Sequence, residues 1–443
     1  MRTARFLADE VLTMVNSDVD AEVYIDTGSS SLTRFANSFI HQNVSEDASE
    51  ITLRVAVDGR VSSATTTVST DDSLRSFVDA TIETASKQPA DKEWAGVGPP
   101  VEIPDVEHWD DATANADPLQ RAEVVKAFVD AGDGLSAAGY CQTEARTHAY
   151  ANSAGRVAEG RFTTAVVDGI HQTGTSAGSG HAAGSTLRTL DAAALGRLAS
   201  QRARDSAAPF DAKPGDYQVI LSPECIATIA VFLDAYGFSA KVAQEGMSFA
   251  RIGEQQFDRS INIWDDATDS EALYVPFDFE GTPKERVDLV RSGVVSSLLH
   301  SRRTAAKDKT ASTGSAIPGG DVFGPFGVNM FVGGGDRSVE SLISSVDRGI
   351  FVSTFNYCRV LDPKTLVVTG LTRNGTFMIE NGQLADAVTN LRFTQSFIDA
   401  IGPGKVGGIG NDQRHADSEF GPMLVHAPSM HLKAWNFTGG ADG

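Results

Sequence analysis

Cysteine is scarce in this chain. Cys141, Cys225 and Cys358 are the only three among 443 residues, and no two form a CxxC pair. That count and spacing exclude a disulfide framework and a thiolate zinc cage. Long apolar runs are missing as well, and none approaches the ~18–20 residues needed to span a bilayer. Positive charge is in short supply, with 37 Lys and Arg against 58 Asp and Glu and a formal net charge of −21. So acidic a surface repels phosphates instead of replacing their counterions, and nucleic acid is not an expected partner. No two histidines stand at i and i+4 on a helix, so HExxH is absent. The GxxxxGK[ST] phosphate loop is absent too. Asp9 and Glu10 interrupt what would be the apolar stretch of a signal peptide, so a cytoplasmic protein without a membrane segment is expected.

What is present suits a folded chain. Apolar residues make up 41% and there are 42 glycines, enough for sizeable cores. Phe6, Leu7, Val11, Leu12 and Val15 recur at near-helical spacing, and residues 21–26 alternate as a strand before a turn expected at Gly28–Ser31. Residues 51–57 alternate again and end in Asp58-Gly59, a hairpin signal. Leu74, Phe77, Val78 and Ile82 line one face of a helix that starts at Asp71 and Asp72. Pro89, Pro99, Pro100, Pro104 and Pro118 mark a linker. A helix over 119–132, strands over 138–150 and 156–170, and a helix over 191–205 follow. From Tyr217 onward short strands alternate with Gly, Asn and Asp turns. The expected fold class is α+β. An N-terminal antiparallel sheet carrying helices (1–88) leads through a linker (89–118) to a central α+β segment (119–210) packed with it. A C-terminal antiparallel body of sandwich or barrel-like form (215–443) completes the chain.

Spacing alone yields no catalytic constellation. Cys225 sits in an apolar helical run and reads as a small buried hydrophobe; Cys358 stands beside Arg359, which could lower its pKa. His426 and His431 are separated by Pro428, so they cannot share a helical face. Phe279–Pro283 is a turn bearing Glu280, and Ser301–Lys307 is a small basic patch containing Arg302.

Several segments in order along nearly the whole chain resemble the TldD/TldE (PmbA) family of peptidase subunits. They include Leu32–Asn43, Arg54–Arg60, Glu280–Arg286, Val346–Val352, Phe377–Gly382 and Gly410–Asp412. The resemblance implies that TldD-type chains carry HExxxH on a C-terminal-domain helix, with a later cysteine as third metal ligand. TldE-type chains lack these groups and pair with a TldD-type chain. Here the corresponding helix reads Pro223-Glu224-Cys225-Ile226-Ala227-Thr228, and the stretch Glu419–His426 has no cysteine. Only Glu224 of the motif remains, and chance or helix solubility accounts for it better than a function does. No metal ligand is expected in this chain, and zinc is expected in a partner bearing HExxxH. The expected function is that of a non-catalytic TldE-like subunit of a zinc metallopeptidase that cleaves unfolded peptides or peptide precursors. Alternatives are a subunit of a pair hydrolysing a small natural-product amide, a cysteine-based amidohydrolase, and a regulatory protein. Glu280, Arg302 and Arg373 are the candidate substrate contacts.

Overall fold

The computed structural model describes residues 2–419 and 423–440. Its strands, in chain order, are β1 (Asp20–Ala36), β2 (Phe39–Val57), β3 (Arg60–Thr66), β4 (Ser136–Asn152), β5 (Val157–Gln172), β6 (Ala177–Gly184), β7 (Gly215–Leu221), β8 (Ile263–Asp265), β9 (Val287–Arg291) and β10 (Val294–Val295). They continue as β11 (Met330–Val332), β12 (Arg348–Asp362), β13 (Val367–Glu380), β14 (Gln383–Ala387), β15 (Leu391–Ser396), β16 (Val406–Ile409), β17 (Arg414–Asp417), β18 (Leu424–Ala427) and β19 (Met430–Gly440).

Twelve strands form one sheet in the order β10-β9-β8-β11-β18-β17-β6-β5-β4-β1-β2-β3. The early strands therefore join a late set, and the join is the pairing of β6 with β17 at Ala183 and His415. The first strands are longer than the sequence suggests. Gly28–Ser31 is no turn: β1 runs through it, with Gly28 opposite Ala48 on β2 and Arg146 on β4. Two neighbouring strands satisfy its backbone groups and override the local turn propensity. The glycine serves close approach instead, since a Cβ there would lie 2.0 Å from the Ala145 carbonyl oxygen. The reversal falls at Asn37 and Ser38, with φ of 49° and 65°, a two-residue turn of primed type. The Asp58-Gly59 hairpin joins β2 to β3 as its sequence predicts, with φ of 49° and 73°.

Helices Ala4–Thr13 and Asp71–Lys87 bury Leu7, Val11, Leu74 and Val78 against Val23, Ile25 and Leu53 of the sheet. Helices Pro118–Asp130 and Ala192–Asp205 cover the next stretch through Val125, Phe128 and Ala199. Among the described residues no helix is long and apolar enough to cross a membrane.

The second sheet runs β12-β7-β19-β15-β13-β14, and β13 pairs back onto β12, closing a five-strand ring. This is the barrel-like body expected of the C-terminal region, although β7 and β12 pair in parallel. Phe355, Phe393, Phe397 and Trp435 cluster in its core, with Phe355–Phe393 ring centres 4.7 Å apart and Trp435 fully buried. Helix Pro223–Leu233 packs against β12 of the ring and β17 and β18 of the large sheet. All eleven of its residues are buried, which matches a sequence apolar on every side.

Candidate functional site

Helix 223–233 enters from β7 through Ser222, and Pro223 takes the first helical position, where its missing N–H costs nothing. Its first turn opens beside a cavity of about 900 Å³ whose walls include Arg202, Arg204, Ser222, Pro223, Arg414 and Ser429. Glu224 is only 6% exposed, so it does not make the helix soluble. Arg414 on β17 donates from Nη2 to Glu224 Oε1 at 2.7 Å. Burial alone would raise the Glu224 carboxyl, but Arg414, Arg202 and His181 outweigh it and hold the pKa below the ordinary glutamate value.

The sign of that shift sets a pH dependence. A depressed folded-state pKa stabilises the fold above the unfolded value of about 4.3, and the contribution is lost as pH falls through the folded value. Glu224→Gln is therefore expected to lower the urea midpoint at neutral pH, and the gap from the parent should narrow progressively below about pH 4. A gap independent of pH would refute the ion-pair account.

The helix does not fit a zinc ion. Proline offers no ligand, and Thr228 Oγ1 donates to the Glu224 carbonyl at 3.0 Å and accepts from the Glu419 N–H at 3.1 Å. Neither side chain matches the imidazole or thiolate donors that zinc takes. Part of the expected third-ligand stretch, residues 420–422, lies outside the described residues. The cysteines are equally unsuited to nucleophilic work. Cys225 and Cys358 are buried, and burial pushes both thiols up. Arg359 lies over the Tyr357 ring and donates to the Cys358 carbonyl at 2.6 Å, and its charge lowers the thiol pKa less than burial raises it. His426, on β18, packs against Phe331 and His415. His431, on β19, sits 3.0 Å from Gln218 Oε1, and burial lowers its pKa to about 4.

The structure brings Glu280 and Arg302 together, with Glu22 and Arg54 as companions. Arg302 Nη1 lies 2.6 Å from Glu22 Oε1, and Arg54 Nη2 lies 3.1 Å from Glu280 Oε1. The Arg302 N–H donates to Glu280 Oε2 at 2.8 Å, and the Tyr150 hydroxyl donates to Glu22 Oε1 at 2.9 Å. Arg373 belongs to a different place: it is exposed on β13, 3.1 Å from Asn356 Oδ1, beside a depression lined by Thr173, Ser176 and Asn390. Arg202 and Arg414, the cations around Glu224, escape sequence reasoning. They come from a helix and a strand more than two hundred residues apart, and no local spacing links either to Glu224.

Residues 214–439 match the PmbA/TldA metallopeptidase C-terminal domain, and residues 21–85 match PmbA/TldA metallopeptidase domain 1. A metalloprotease of Methanocaldococcus jannaschii is 28% identical over 201 residues, covering 43% of each chain. A metalloprotease of Methanothermobacter thermautotrophicus is 24% identical over 233 residues, 52% of this chain and 50% of that one. The chain thus aligns with about half the length of these curated relatives. Among solved structures, TldE from Thermococcus kodakarensis superposes with a TM-score of 0.86 at 16% identity, covering 97% of this chain and 98% of that one. A Thermotoga maritima protein described as a candidate DNA gyrase modulator gives 0.84 at 18% identity, with 97% and 99% covered. At such identities the likeness is one of fold.

Proposed function

The chain belongs to the PmbA/TldD metallopeptidase family, and from that premise we propose that it is the non-catalytic, TldE-like subunit of a peptidase pair. Its partner is a TldD-like chain whose HExxxH helix holds the zinc. The observation that carries this reading is the first turn of helix 223–233. Pro223 and Thr228 occupy the positions that the family resemblance assigns to two histidines, and Arg414 neutralises the glutamate between them. A carboxylate held in an ion pair, with neither of the family's two histidines flanking it, is not placed to activate water.

In the pair the zinc of the partner supplies the polarised water. The residues of this chain shape the chamber and help exclude bulk solvent, which strengthens the electrostatic interactions acting on a bound amide. The substrates are unfolded peptides or peptide precursors, and the pair works in the cytoplasm.

The test is cleavage of an unfolded peptide library by this chain alone, by the HExxxH partner alone and by the two together. No turnover by this chain and at least a hundredfold gain for the pair over the partner are expected. Turnover by this chain alone would overturn the reading, as would a partner that works at full rate without it. Cleavage confined to small amides would redirect the substrate class to natural-product amides.

A further inference from the structure

A row of three metal-ligating side chains crosses the seam of the large sheet. Asp168 on β5 and His181 on β6 are direct register partners. β17 pairs with β6 in antiparallel sense at His415 and Ala183, and counting two residues along each strand places Asp417 opposite His181. All three therefore stand side by side on one face of adjacent strands. His181 Nδ1 is hydrogen-bonded to Asp168 Oδ2 at 3.2 Å and lies 3.8 Å from Asp417 Oδ1.

The geometry points to a binding site for a divalent transition cation, with zinc as its test ion, held by Asp168, His181 and Asp417. In a tetrahedral site with bonds of ~2.0–2.2 Å, neighbouring donor atoms lie ~3.3–3.6 Å apart. The separations at His181 bracket that edge length. One imidazole and two carboxylates is also a donor set suited to borderline cations, with a position left for water.

A second observation concerns His181 itself. The ring is 6% exposed, its Nε2 has no hydrogen-bond partner, and Glu224 Oε2, on a group whose charge acts on His181, has none either. Two buried polar atoms near the row thus lack partners. A cation bound there fastens the early strands to the late ones at β6 and β17. No spacing in the sequence announces the site, because each ligand comes from a different strand. Its three ligands lie outside helix 223–233, although Glu224 of that helix acts on His181 and Asp417 through its charge.

The test uses the full chain, stripped with EDTA, incubated with zinc chloride and dialysed, with zinc counted by elemental mass spectrometry. One zinc per chain is expected, with a rise in the thermal midpoint on zinc addition. His181→Ala should abolish both, and Asp168→Asn and Asp417→Asn should each weaken binding by about tenfold or more. Circular dichroism checks folding; if His181→Ala misfolds, the two isosteric asparagine variants carry the result. Negligible zinc in the parent chain overturns the proposal, as does full retention by the folded variants. Peptide cleavage by the zinc-loaded chain alone would overturn the accessory-subunit reading and leave this site standing.

Discussion

Lys284→Met is expected to lower the unfolding free energy by about 3–5 kcal/mol, the usual result of breaking a buried ion pair from one side. Lys284 and Asp265 are each 1% exposed, with Nζ 2.8 Å from Oδ2. Lys284 also donates to the Gly314 carbonyl at 2.7 Å, while Asp265 Oδ1 accepts from the Asn329 N–H at 2.7 Å. The lysine thus ties the turn after residue 283 and the segment around 314 to β8. Asp234 adds to the demand for a cation. Burial and the neighbouring Asp265 push its carboxyl well above the ordinary range, and the Gly327 N–H and Lys284 only partly oppose this. Without Lys284 two acidic groups share an apolar interior with no counter-charge. The double variant Lys284→Met, Asp265→Asn should recover much of the loss, since removing both charges removes the desolvation problem as well. Urea unfolding of the two variants checks this. Equal losses in the single and double variants would show that packing around the lysine stem, not charge, is responsible.

Glu22→Gln is expected to cost somewhat less, about 3 kcal/mol, because its two arginines keep some solvent contact. Glu22 is 4% exposed, against 13% for Arg54 and 12% for Arg302. The substitution leaves the Arg54 guanidinium with Glu280, takes from the Arg302 guanidinium the carboxylate it pairs with, and deprives the Tyr150 hydroxyl of its charged acceptor. The cluster joins β1 and β2 to the segments at 280 and 302, so limited proteolysis should release the N-terminal strands earlier in the variant. Thermal midpoint and proteolytic rate are the readouts, and a parent-like value in both would refute the role given to this cluster. The expected substrate contacts have a separate test. Alanine at Glu280, Arg302 or Arg373 that leaves peptide cleavage by the assembled pair unchanged removes that residue from the substrate-contact set.

How much of this was legible in the residues depends on the range of the forces involved. The Asp58-Gly59 hairpin, the helix from Asp71 and the apolar helix from Pro223 follow from side-chain period and backbone preference over a few residues. The Gly28–Ser31 segment did not follow, because strands on both sides supplied hydrogen bonds that no local rule anticipates. Glu224 shows the same division within the site. Its survival without flanking histidines is plain in the sequence, whereas its burial and its pairing with Arg414 are not.

By itself the sequence determined the α+β class, the barrel-like C-terminal body, the lack among the described residues of an apolar helix long enough to cross a membrane, and a family resemblance that domain matches then established. These rest on composition, periodicity and residue order, which the chain carries locally. Only the tertiary structure decided that early and late strands share one sheet, that Glu280 and Arg302 belong to one buried ion cluster, and that Asp168, His181 and Asp417 form a single row. Each of those depends on contacts between segments hundreds of residues apart, and such contacts are set by the burial of whole faces, not by any neighbouring residue.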